Sequence, residues 1–195
     1  MDFKRLFTTA GVKGRKNYIN SQKKYEIIRT AIYFLISLSL FAAGIAATKT
    51  RNNLLTIVAV LGCLPASKSL VSAIMYGKYK SLSEDDAEKI EAAANGLTCL
   101  YDLVFTTREK TYPVLHMTVC ENTVIGYMPS EKLSDADCAA HITTCLKVDN
   151  YSHVTVKIFK DIRKYTARLS QMKEPTDAEE KITQGIVDTL KSIAL

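Results

Sequence analysis

The chain has 195 residues, 47% of them hydrophobic, and a formal net charge of +6. Positive charge is concentrated in residues 1–29, which hold eight basic and two acidic side chains, whereas residues 78–195 hold 15 basic and 18 acidic ones. A nucleic-acid-binding domain carries its basic residues on its own folded surface, so this distribution argues against nucleic acid as a partner. The five cysteines form no CxxC pair, which argues against a disulfide framework.

Residues 1–29 form a basic arm that precedes the first apolar segment. Lys and Arg side chains close to a membrane surface are attracted to anionic lipids, each contributing on the order of 1 kcal/mol. The sequence therefore predicts a cytosolic arm that has anionic lipid headgroups as its partner. The alternative is an unstructured topology signal with no binding role.

Two apolar segments follow the arm. Residues 30–48 contain no charged side chain, and residues 54–77 contain only Lys68. A helix of about 20 apolar residues crosses a hydrocarbon core of about 30 Å, and the short linker between the segments makes them antiparallel. Residues 30–77 are therefore predicted to form a two-span transmembrane hairpin. A cleaved signal peptide is the alternative, but its apolar core has about 7–15 residues, fewer than the first segment.

The flanking charges predict the orientation of the hairpin. Eight basic residues precede the first span, and Lys78 and Lys80 follow the second, whereas the connecting loop holds Lys49 and Arg51. Because positively charged flanks are retained on the cytoplasmic side, the N-terminus and residues 78–195 are both predicted to be cytoplasmic. The predicted localisation is thus a multi-pass membrane protein.

Pro65 and Lys68 interrupt the second span. A proline followed one turn later by a charge is typical of a broken helix with an ion or substrate site, which would imply a small transport or pore subunit assembled from several copies. The alternative is that Lys68 lies close enough to the cytoplasmic surface for its flexible stem to carry the ammonium group to water.

Residues 78–195 are predicted to form a cytosolic α+β domain, so the fold class is a membrane-anchored α+β protein. The predicted order is α-β-β-β-α-β-α-α with a mainly antiparallel sheet. Ser83 and Ser134 have the spacing to acidic residues that is typical of helix N-caps. Short polar breaks between apolar runs predict successive hairpins. The predicted elements are helices at 83–95, 134–148 and 161–172 and after a cap at Thr176, and strands at 98–107, 112–120, 123–128 and 153–159.

The predicted order α-β-β-β-α-β over Ser83–Phe159 resembles the core of the PD-(D/E)xK nuclease superfamily. The resemblance is one of topology alone, and it implies a divalent metal held by carboxylates on neighbouring strands. Asp102 lies on the first predicted strand, but the third, TVIGYM, contains neither an acid nor a lysine. A membrane-bound enzyme with a degenerate nuclease-like site is therefore an alternative function.

Cysteine and histidine residues share one side of a predicted helix. Cys138, His141 and Cys145 recur at i, i+3 and i+7, and His116 alternates with Cys120 on one face of a strand. These are metal-ligand types, and a cysteine beside a histidine is also a possible nucleophile. Because the close ligand pairs of a structural zinc site are missing, core packing is the favoured interpretation, and no metal or cofactor is predicted.

The leading hypothesis is an integral membrane protein that presents a non-catalytic cytosolic interaction module to a protein partner or to other copies of itself. The competing hypotheses are a membrane-bound enzyme, with a degenerate nuclease-like or cysteine-based site, and a transport or pore subunit. No residue has a predicted catalytic, cofactor-binding or metal-binding role. The functional candidates are Lys68, Pro65, Asp102, His116, Cys138, His141 and Cys145.

Overall fold

The computed structural model describes residues 13–50, 53–94, 96–172 and 177–195. The chain divides into two compact units. Among the described residues, the first unit contains Ile19–Lys80, and the second contains residues 13–18 together with Ser81–Leu195. The segment before Ile19 thus belongs to the same unit as the C-terminal domain.

The first unit consists of two helices, α1 (Tyr18–Thr48) and α2 (Leu54–Gly77). α1 begins twelve residues before the predicted span at Thr30, because the polar residues after Tyr18 continue the same helical stripe toward α2. Asn53 caps α2 by accepting a hydrogen bond of 2.8 Å from the Thr56 amide.

The two helices pack through small and polar residues. Ser69 and Glu26 are hydrogen-bonded, a Cβ added to Gly62 would lie 2.6 Å from the Ser37 hydroxyl, and one added to Gly44 would lie 3.0 Å from Leu55 Cβ. Small residues let helix backbones approach closely in a membrane. The buried positions of α2 follow helical spacing: Ala59, Ala66, Ser69, Ala73 and Tyr76.

The outer surface of the hairpin is apolar. Many large aliphatic side chains of α1 and α2 are exposed, including Leu35, Leu38, Leu54, Val60 and Leu64. Both helices are long and apolar enough to cross a membrane, and only 17% of the most apolar window of each is buried. A core helix of a soluble protein is mostly buried, so the two helices suggest membrane association.

The second unit confirms the predicted order of elements. Ser83 and Ser134 accept hydrogen bonds from the Asp86 and Asp137 amides and thus cap their helices as predicted; the predicted cap at Thr176 lies outside the described residues. The elements are α3 (Glu84–Ala93), β1 (Thr98–Thr106), β2 (Thr111–Cys120), β3 (Thr123–Tyr127), α4 (Asp135–Val148), β4 (Thr155–Phe159), α5 (Ile162–Leu169) and α6 (Asp177–Ile193).

The four strands form one mixed sheet in the order β1-β2-β3-β4. β1 pairs with β2, and β2 with β3, in the antiparallel direction, whereas β3 and β4 are parallel. The prediction of a mainly antiparallel sheet was wrong, because α4 crosses over between β3 and β4 and so brings β4 back in the direction of β3.

Both faces of the sheet are covered. One core contains Phe105, Met117, Ile142 and Ile186, so it lies between the sheet and helices α4 and α6. The other contains Ile90, Ile125 and Tyr165, so it lies between the sheet and helices α3 and α5. Side chains on both faces of the sheet are therefore covered by helices.

Candidate functional site

A buried polar network lies on the α5 side of the sheet. His116 of β2 is fully buried, and its Nδ1 shares a hydrogen bond of 2.6 Å with the Tyr165 hydroxyl of α5. The same hydroxyl lies 3.3 Å from Thr118 Oγ1, which lies 3.7 Å from Cys99 Sγ. His116 Nε2 has no hydrogen-bond partner among the described residues.

Tyr101 connects this network to the protein surface. Its ring meets the His116 ring edge-on, with centroids 4.6 Å apart, and its hydroxyl donates a 3.3 Å hydrogen bond to Glu91 Oε1. Glu91 also forms an ion pair of 3.1 Å with Lys16. A continuous chain of contacts thus runs from an exposed ion pair to the buried imidazole.

Burial keeps the inner groups of the network uncharged. It lowers the pKa of His116 to about 4 and raises the pKa values of Tyr165 and Cys99. At neutral pH the imidazole is therefore neutral and the phenol and thiol are protonated. Because the thiolate is the nucleophilic form of cysteine, this arrangement favours a hydrogen-bonded support for α5 over a cysteine nucleophile.

Asp102 occupies a kink in β1. Its φ is +54°, a region that Asp adopts more readily than most residues. Leu100 and Leu103 belong to the same core although they are three residues apart, so the alternation of side chains shifts at Asp102. The Asp102 carboxylate is buried and accepts a 3.1 Å hydrogen bond from the Leu82 amide, which ties the segment before α3 to the sheet.

Asp102→Ala is expected to lower the free energy of unfolding of the domain by about 2–3 kcal/mol, because the buried Leu82 amide loses its acceptor and alanine is strained at positive φ. Asp102→Asn keeps an acceptor and tolerates this φ, so its expected cost is below about 1 kcal/mol. Urea titration of both variants measures the difference. Equal stability of the two variants would contradict the structural role of this carboxylate.

The cysteine and histidine residues of α4 divide between core and surface. Cys138 is buried in the core beneath α4, and burial raises its pKa to about 12. His141 and Cys145 are half-buried, with Nε2 and Sγ 3.9 Å apart. Among the described residues, no group of three or more His, Cys, Asp or Glu side chains is placed to hold a metal ion.

Lys68 and Pro65 both lie on the exposed surface of α2. The polar contacts of the hairpin interior come from other residues. Glu26 is 4% exposed and accepts hydrogen bonds from Gln22 (3.1 Å), from Arg29 Nη1 (2.8 Å) and from Ser69 (2.5 Å). An interhelical carboxylate with three donors joins α1 to α2 close to the level of Lys68.

The segment before α1 packs on the C-terminal domain. The Lys13 ammonium donates hydrogen bonds to the carbonyls of Ala194 (2.8 Å) and Lys191 (3.4 Å), near the end of α6. The Gly14 carbonyl accepts a 2.9 Å hydrogen bond from the Tyr101 amide, and Lys16 pairs with Glu91. This segment therefore forms a backbone hydrogen bond with the outer edge of β1 at Tyr101.

Gly14→Val is expected to destabilise this contact by about 1–2 kcal/mol, because the φ of Gly14 is +83° and a Cβ there would lie 2.8 Å from Leu100 Cδ2. The expected result is faster hydrogen exchange at the Tyr101 amide. Arg15→Ala changes a neighbouring exposed side chain and serves as the control. Unchanged exchange in the valine variant would show that this contact does not protect β1.

Several of these residues escape sequence reasoning. Tyr165 and His116 are 49 positions apart, Ser69 and Glu26 are 43 apart, and Lys13 and Ala194 are 181 apart. The one local signal is the helical spacing of the small residues in α2, which marks the side that faces α1.

Of the predicted candidates, the structure brings His141 and Cys145 together, whereas Asp102 and His116 belong to separate sets of contacts. Comparison of the chain with protein-family models, with curated proteins and with solved structures finds no match.

Proposed function

We propose that this chain is an integral membrane protein in which the hairpin of α1 and α2 anchors a non-catalytic cytosolic domain that engages a protein partner or other copies of itself. The N-terminus and the C-terminal domain both lie on the cytoplasmic side of the membrane.

The observation that carries this proposal is the arrangement of side chains in the hairpin. Small and polar residues such as Ala66, Ser69 and Glu26 lie between the helices, whereas large aliphatic residues such as Leu38 and Leu64 point outward. Water disfavours an apolar surface of this extent, but lipid does not. Interhelical hydrogen bonds and small-residue contacts are the interactions that hold helices together in a bilayer.

The contacts of residues 13–18 support the proposed topology. Lys13, Gly14 and Lys16 contact the C-terminal domain on one side of the hairpin sequence, and Ser81 begins that domain on the other. Two chain segments that fold together must lie on the same side of a membrane. An even number of spans between them meets this condition, and the positive residues at both ends of the hairpin favour the cytoplasmic side.

The protonation states in the domain support a non-catalytic role. His116, Cys99 and Tyr165 are neutral at neutral pH and are used to hold α5 on the sheet. The Asp102 carboxylate accepts a hydrogen bond from the Leu82 amide. The candidate acid, base and nucleophile groups of the core thus have structural roles.

Anionic lipid headgroups are the proposed partner of the basic arm. Because Lys13 and Lys16 contact the domain, attraction to lipid falls mainly to the basic residues closer to the membrane, which include Lys23, Lys24 and Arg29. Each such charge near an anionic surface contributes on the order of 1 kcal/mol.

The test combines extraction with topology reporters. The full chain is expected to stay in the membrane pellet after alkaline carbonate treatment. A reporter active only outside the cytoplasm is expected to be active when inserted at Asn52 and inactive when fused after Leu195. Release of the chain by carbonate, or an active fusion after Leu195, would refute the proposed anchoring or its orientation.

A further inference from the structure

We propose that Arg29 of α1 and Lys68 of α2 together bind the phosphate group of an anionic phospholipid at the cytoplasmic end of the hairpin. The proposal rests on the proposed membrane function, because it places the two side chains at the level of the lipid headgroups. It assigns a ligand to Lys68, which is the one charged residue in the sequence of α2.

The hydrogen bond between Glu26 and Ser69 sets the relative height of the two cations. Its 2.5 Å length places Ser69 beside the helical turn that begins at Glu26. The contacts at Gly62 and Gly44 follow the same antiparallel register. Arg29 belongs to that turn of α1 and Lys68 precedes Ser69, so the two cations lie at nearly the same height.

The helix geometry also places both cations on the same side of the hairpin. Thr30 and Ser69 are buried, and Arg29 and Lys68 each precede one of them by a single residue, which is a rotation of about 100° around each helix. In a pair of antiparallel α-helices, take the residue of each helix that points at the other helix. The residues that come directly before these two positions lie on the same side of the pair. Arg29 and Lys68 therefore flank the same groove.

The height of this pair matches the membrane boundary. The eighteen residue steps from Thr30 to Thr48 span about 27 Å at 1.5 Å each, and the hydrocarbon core is about 30 Å thick. With the loop at the opposite surface, Arg29 lies close to the cytoplasmic boundary, where lipid phosphates lie. The register brings Lys68 to within about one helical turn of this level.

The charges of the hairpin favour an anion at this place. Glu26 is the one acidic residue in the sequences of α1 and α2, and it is already used by Arg29, Gln22 and Ser69. Lys68 therefore has no carboxylate on either helix. A phosphate diester supplies one negative charge and several acceptor oxygens, which Arg and Lys bind through charge-assisted hydrogen bonds.

The free edge of the Arg29 guanidinium fits a phosphate. Nη1 bonds to Glu26 at 2.8 Å, whereas Nε and Nη2 have no partner among the described residues. These two nitrogens form the edge of the fork that grips two phosphate oxygens side by side. Both nitrogens are buried and the side chain is 17% exposed, so phosphate binding in this proposal turns this edge toward the groove while Nη1 stays on Glu26.

The test measures binding of phosphatidylglycerol to the full chain in phosphatidylcholine nanodiscs by native mass spectrometry. Lys68→Gln is expected to weaken binding about tenfold, and Lys68→Arg to retain it. Arg29→Lys keeps a positive charge beside Glu26 but loses the fork, so it is expected to weaken binding several-fold. Lys147→Gln removes an equal charge from an exposed position on α4 of the C-terminal domain and is expected to change binding less than twofold.

Equal weakening by Lys68→Gln and Lys147→Gln would overturn the site, because it would show attraction to the total charge alone. Unchanged binding in both Lys68→Gln and Arg29→Lys would also overturn it. Carbonate extraction of each variant separates these outcomes from a failure of the proposed anchoring. A wild-type chain that leaves the membrane refutes the anchor and the lipid site together, whereas a retained chain without selective binding refutes the site alone.

Discussion

Leu64→Asp is expected to prevent stable insertion of the hairpin. Leu64 lies on the outer surface of α2 and is 68% exposed, and its position ten residues after Leu54, where α2 begins, places it about 15 Å into the bilayer. A carboxylate in place of leucine at the centre of a membrane span costs about 3–4 kcal/mol on the insertion scale, which lowers the equilibrium constant for insertion by about several hundredfold. The measurement is the share of the chain that resists carbonate extraction.

Val148→Asp is the matched control for this experiment. Val148 is also a large exposed apolar residue, 77% accessible, but it ends α4 in the C-terminal domain. In the proposed topology its side chain faces water, so an aspartate there is expected to leave membrane retention unchanged. If Leu64→Asp were retained as well as Val148→Asp, the outer surface of α2 would not face lipid, and the anchoring proposal would fail.

The helices and strands of the domain were largely predictable because their signals are local. Ser83 and Ser134 cap helices through amides three residues later, and short polar breaks separate the antiparallel strands. The pairing of β4 is a long-range property, and its parallel direction makes the sheet mixed, whereas the sequence analysis predicted a mainly antiparallel sheet. A strand, a helix and a second strand in succession favour a parallel pair, and β3, α4 and β4 follow one another in this order.

The roles of the predicted functional residues could not be predicted from the sequence, because their contact partners are distant in sequence. The sequence identifies Lys68 as unusual, but Arg29, its proposed companion in lipid binding, lies on another helix, and the level of the two is inferred from the Glu26 and Ser69 contact. Likewise, the burial of His116 depends on Tyr165, which comes from α5. Asp102 is a functional candidate in the sequence analysis, whereas its role in β1 depends on a backbone angle that composition does not predict.

His116 is expected to make the stability of the domain depend on pH between about 4 and 6.5. Burial lowers the pKa of His116 from 6.5 to about 4 in the folded protein, so below pH 6.5 the unfolded chain binds a proton that the folded chain does not. Stability therefore rises with pH in this window, is fully present above 6.5, and is lost as the pH falls toward 4. The expected loss is about 3 kcal/mol.

The measurement is the urea midpoint of the domain at several pH values in the wild-type chain and in His116→Gln. Glutamine keeps a hydrogen-bonding group beside Tyr165 but does not titrate, so this variant is expected to lose most of the slope between pH 4.5 and 6.5. His153→Gln is the control, because His153 is exposed. A slope of wild-type size in His116→Gln would mean that carboxylates such as Glu91 cause the acid sensitivity, and that the buried imidazole does not.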